Sequence, residues 1–211
     1  ASFAGAAQAE TSVTLYGVVD TGIGYNKISG HDSMMDDTGV SRDVDLSGSR
    51  VGMINGIQGG SLWGLKGSED LGDGLRAVFT VESGFDSGNG QSQQSRLFNR
   101  QATVGLANDS WGSLEFGRQT TLSGAFLAEI DPFYTSFTQA NIGTTFTGAN
   151  TMRWDNMIMY RSPWTDGFQF AVGYSFNADS TDANQSGFRT ADNARGITAG
   201  LRYVNGPLNV S

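Results

Sequence analysis

The chain has 211 residues, of which 16% are charged, with a net charge of −8, no cysteine and a single histidine, His31. An acidic chain offers no basic face for nucleic acid. With no thiol and one imidazole there is no disulfide framework, and neither a thiolate or multi-histidine metal site nor a histidine triad is expected. An enzyme would need a nucleophile and a base, and His31 has no evident serine partner, so no enzyme and no cofactor are expected.

Residues Ala1 to Ala9 are small and apolar, and Ala7-Gln8-Ala9 has the A-x-A form that precedes signal cleavage. They read as the remnant of a signal peptide on an exported chain, with the mature sequence beginning at Glu10. No run approaches 18 apolar residues, so no transmembrane helix is expected. What recurs instead is period-2 alternation, the signature of strands. In Val13 to Tyr25, Leu15, Val19, Ile23 and Tyr25 oppose Thr14, Tyr16 and Asp20. In Leu75 to Phe85, Leu75, Ala77, Phe79 and Val81 oppose Arg76, Thr80 and Glu82. Phe168, Phe170, Val172 and Tyr174 oppose Gln169, Ala171, Gly173 and Ser175, and Ile197, Ala199, Leu201 and Tyr203 oppose Thr198, Gly200 and Arg202.

The connections alternate in length. Short ones rich in turn residues fall at 70–74, 108–112, 162–167 and 205–207. Long ones fall at roughly 26–50, 87–97, 119–152 and 177–194. Eight strands and the start of a ninth result. Short turns at one end and long loops at the other are the plan of an all-β, antiparallel transmembrane barrel. Aromatic residues near strand ends, among them Trp111, Tyr160, Trp164 and Phe168, suit its interfacial girdles. The alternative is a soluble exported β-sandwich acting as a binding module. Against it stand mid-strand charges (Arg76, Glu82, Arg202) and a third loop too long for a compact sandwich.

Four stretches carry a family resemblance. Thr11 to Asp20 (TSVTLYGVVD) and Trp63 to Leu75 (WGLKGSEDLGDGL) resemble the first strand, and the second strand with its tight turn, of Gram-negative general porins of the β-proteobacterial and neisserial type. Phe98 to Leu106 (FNRQATVGL) and Phe116 to Gln119 (FGRQ) resemble the fourth strand and the end of the fifth. The resemblance implies an outer-membrane channel for passive diffusion of ions and small hydrophilic solutes, a homotrimer of 16-stranded barrels set in outer-membrane lipid and lipopolysaccharide. Residues 10–211 would be the N-terminal part of one barrel. The third loop, about 119–152, would fold inward and narrow the pore.

Carried over by position, the constriction would hold Arg100, Arg118 and Arg153 on the wall, Glu82 across from them, and Glu129 and Asp131 on the loop facing the arginines. Asp20, Leu62, Lys66, Arg76 and Arg202 would line the lumen. Alternation supports Glu82 and Arg153. Arg100 shares parity with Val104 and Leu106, so parity does not turn it inward, and Arg118 ends its strand and is left undecided. Leu62 stands where relatives often place a pore-facing arginine, which leaves ion preference open.

Overall fold

The computed structural model describes residues 12–35, 41–136, 143, 152–179 and 194–211. Among these, the strands in chain order are β1 (Ser12–Val18), β2 (Thr21–Met35), β3 (Ser41–Asn55), β4 (Leu62–Gly72), β5 (Leu75–Gly84), β6 (Gln101–Asn108), β7 (Gly112–Thr120), β8 (Arg153–Arg161), β9 (Phe168–Ser175), β10 (Gly196–Asn205) and β11 (Leu208–Val210). A 3-10 turn (Gln93–Ser95) precedes β6, and a short helix, α1 (Leu122–Ala128), follows β7. Nine strands form one sheet in the order β1-β4-β5-β6-β7-β8-β9-β10-β11, and β2 pairs with β3. The stretch 1–9, expected to be a signal-peptide remnant, and parts of the third and fourth long connections lie outside the described residues.

The first two expected strands are each broken at one level. β1 and β2 part at Val19 and Asp20, and β3 and β4 part at 56–61. Counted across these breaks, the strands number nine, the last just begun as β11. Two expectations need correction. Residues 26–35 and 41–50 are not a loop: the β2–β3 ladder runs from Thr21↔Asn55 to Met35↔Ser41. Glycine, serine and aspartate give this stretch a loop-like composition, but a ladder satisfies the backbone whatever the side chains are. The fourth strand begins at Gln101 rather than Phe98. The residues before it are held out of the ladder because the Gly84 amide donates to Asn99 Oδ1 at 2.6 Å and the Arg100 amide donates to the Glu82 carbonyl at 3.2 Å.

Alternation gives the sheet two unlike faces. Val13, Leu15, Val104, Phe116, Phe170, Val172, Ile197 and Leu201 are all exposed on one. A soluble sandwich would bury that face against a second sheet. An apolar face this continuous suits lipid. The other face carries Tyr16, Lys66, Glu82, Thr103, Glu115 and Thr198, and α1 packs on it. Leu122 and Phe126 of α1 meet Met157, Met159 and Ala171 in the one buried apolar cluster among the described residues. The Leu122 amide donates to Thr198 Oγ1 at 3.0 Å. Gly200 makes room for the ring: a Cβ there would lie 2.8 Å from Phe126 Cδ2.

The β7–β8 pairing slips between Gly117 and Gln119. Gly117 has φ +126°, and a side chain there would strike the Ala102 carbonyl. Gly117→Ala is expected to cost about 1–3 kcal/mol through backbone strain. It should lower the temperature at which the folded band is lost on heating in detergent gels.

Candidate functional site

On the polar face an open cavity of about 810 Å³ lies between the wall, α1 and the break at 56–61. Its wall side carries Glu82, Arg100, Arg153 and Arg161; its helix side carries Ala125, Ala128, Glu129 and Tyr134; its third side carries Asp20, Gln58, Gly59, Gly60 and Leu62.

Glu82 is the wall's junction. It accepts from Tyr16 Oη at 3.0 Å and pairs with Arg100 Nε. Arg100 reaches it because it precedes β6 and so escapes the parity that turns Val104 and Leu106 outward. Arg118 has the parity of outward Phe116, but the bulge rotates it. Its Nε donates to the Asn99 carbonyl at 2.7 Å, its Nη1 to Asp155 at 2.7 Å and its Nη2 to Gln94 Oε1 at 3.2 Å. It is not among the side chains lining the cavity. Arg153 lines the cavity, and among the described residues it makes no ion pair and its buried Nε has no hydrogen-bond partner.

The acids on the third connection sit differently from the expectation. Glu129 lines the cavity, but its described partners are Arg202 Nη2 at 3.2 Å and Tyr134 Oη at 2.9 Å. The bond to Glu129 holds the Tyr134 phenol above its ordinary range. Asp131 is buried, and its carboxylate accepts the amides of Phe133 and Thr135, each at 3.0 Å, which stabilises a turn. It is not among the cavity-lining residues.

Of the other expected lumen residues, Asp20 and Leu62 line the cavity. Lys66 Nζ lies 5.6 Å from the Tyr16 ring centroid, on the same polar face. Arg76 pairs with Asp109 at 2.7 Å near the short-turn end. Arg202 pairs with Glu129 and lies over the Trp164 ring at 5.4 Å.

The family model for Gram-negative porins matches residues 1–211. The chain is 60% identical to an outer membrane porin protein of Bordetella pertussis, over all of this chain and 55% of that protein. It is 32% identical to outer membrane porin protein 32 of Delftia acidovorans, over 98% of this chain and 54% of that one. Among solved structures it resembles an anion-selective porin from Comamonas acidovorans, with a TM-score of 0.65 and 30% identity, over 95% of this chain and 55% of that chain. The chain belongs to the Gram-negative porin family. It spans about half the length of the curated relatives it matches.

The porin sheet is thus part of an outer-membrane β-barrel, with its apolar face toward lipid, and the sandwich-module alternative is set aside. Three porin site residues escaped the sequence reading. Arg161 lines the cavity and donates to Glu115 at 3.0 Å; its parity with Arg153 was the available signal. Arg96 donates to both oxygens of Asp155 at 2.8 Å from a connection whose course no pattern announced. Asp155, 7% exposed, therefore ties that connection and β7 to β8. Asp155→Ala removes an acceptor shared by Arg96 and Arg118 and is expected to cost about 1.5–3 kcal/mol. Thermal unfolding of the detergent-solubilised porin should show the loss.

Proposed function

We propose that the whole protein forms a water-filled channel through which ions and small hydrophilic solutes diffuse passively, and that it is not an enzyme. The polar cavity beneath α1, on the inner face of a lipid-facing sheet, is the observation that carries this reading. α1 and the residues after it form the inward part of the third connection, which narrows the lumen. The protein is a homotrimer held in outer-membrane lipid and lipopolysaccharide, as the family resemblance implies.

Among the described residues, six charged side chains line the cavity and divide evenly: Arg100, Arg153 and Arg161 against Asp20, Glu82 and Glu129. Opposed fixed charges give a transverse field, which orients polar solutes and keeps the lumen wet. The even division, with Leu62 adding no charge to the wall, supports weak net ion selectivity. One structural relative is an anion-selective porin. Here Arg153 supplies the leaning toward anions, because Arg100 is engaged by Glu82.

Planar-bilayer recording of the full-length protein tests this. Stepwise, ohmic conductance increments with a modest reversal potential in a salt gradient are the expected result. No steps at all would overturn the channel reading.

A further inference from the structure

At the break in the first two strands, two residues on one side, Val19 and Asp20, face six on the other, 56–61. The surplus cannot stay in the ladder and leaves it as an excursion. Its Gln58, Gly59 and Gly60 line the cavity.

One residue holds this excursion at both ends and at its tip. The Asp20 carbonyl accepts the Gly56 amide at 2.8 Å and Ser61 Oγ at 3.1 Å. The Asp20 amide donates to Ser61 Oγ at 3.0 Å. The Asp20 carboxylate takes the amides of Gln58 at 2.8 Å and Gly59 at 3.0 Å. Charge-assisted bonds to backbone amides are the strong kind. They matter here because Gly56, Gly59 and Gly60 give the excursion wide backbone freedom.

The held excursion abuts both neighbouring connections. A Cβ on Gly59 would stand 3.7 Å from Ser136 Oγ, on the third connection, and one on Gly60 would stand 3.4 Å from Gln93 Nε2, in the 3-10 turn. The third connection is therefore supported twice: by α1 on the wall, and by this excursion at its far side.

We propose that the excursion at 56–61 is a second fixed edge of the channel's narrow zone, and that Asp20, beyond its charge in the lumen, is a positioning residue whose carboxylate sets the aperture through its bonds to backbone amides. This rests on the channel reading. Two substitutions separate the roles. Asp20→Asn keeps a carbonyl acceptor for the excursion but removes the charge; Asp20→Ala removes both.

The test is single-channel recording of full-length wild type, Asp20→Asn and Asp20→Ala. Asp20→Ala should raise open-channel noise and change unit conductance by about two-fold, as the freed segment moves in the lumen. Asp20→Asn should stay near wild type in both. Wild-type noise and conductance in Asp20→Ala would overturn the proposal, as would equal selectivity shifts in both variants without added noise. Wild type that gives no steps would instead sink the channel reading. Should Asp20→Ala not assemble, the double variant Gly59→Cys/Ser136→Cys decides, since the chain has no cysteine of its own. Its disulfide should form on mild oxidation and leave conductance near wild type; failure to form, or a large drop in conductance, would overturn the proposal.

Discussion

Phe126→Ala is expected to raise single-channel conductance and broaden its distribution, because the ring is the main anchor of α1 on the wall. Phe126 is 7% exposed and packs with Leu122, Met157, Met159 and Ala171. Truncating a buried phenylalanine costs about 3–5 kcal/mol. A helix of seven residues has almost no stability of its own, so it stays in place only while its packing holds it. The Leu122 amide bond to Thr198 is worth about 1 kcal/mol and does not replace the ring. Gly200→Leu attacks the same contact from the wall, since its side chain would occupy the space the ring fills. Both variants should converge on a wider, noisier channel. Conductance unchanged in both, despite a lower thermal midpoint, would show that α1 does not bound the narrow zone.

Glu82→Gln is expected to move the reversal potential toward anions. Glutamine keeps the shape and an acceptor for Arg100 or Tyr16, so the change is mainly one of charge. Among the described residues, it turns a lining with three charges of each sign into one with three positive and two negative side chains. A unit charge about 4 Å from a passing ion is worth about 1 kcal/mol in water, or about five-fold in the local ion ratio. The shift should be largest in dilute salt, since the Debye length falls from about 10 Å at 0.1 M to about 3 Å at 1 M. Arg153→Gln should move it the other way. A shift toward cations in Glu82→Gln would contradict the opposed charges of this wall.

Strand positions and faces were legible because lipid on one side and water on the other enforce strict alternation, as in Phe168 to Ser175. Legibility failed where the backbone leaves the ladder. Parity misjudges Arg100 because its residue lies in a bend before β6, and it leaves Arg118 undecided because the turning element is a bulge at Gly117. The Glu129–Arg202 pair joins residues 73 apart in sequence, and no local pattern announces it. Residues 26–35 and 41–50 show the reverse error, in which polar composition concealed a ladder set by pairing.

The uneven connections also determine where this protein can change length. At the short-turn end, Asp73 and Gly74 at φ +53° and +73°, and Asp166 and Gly167 at +50° and +84°, are tight turns with no slack. One inserted residue there would slip the register and exchange the lipid-facing and water-facing sides of a whole strand. At the opposite rim, the connection between β9 and β10 joins strands already locked from Gly196↔Ser175 to Tyr203↔Phe168. Additions there leave the register untouched. Epitope tags and foreign peptides therefore belong at that rim, and natural insertions and deletions should collect on the same side of the membrane.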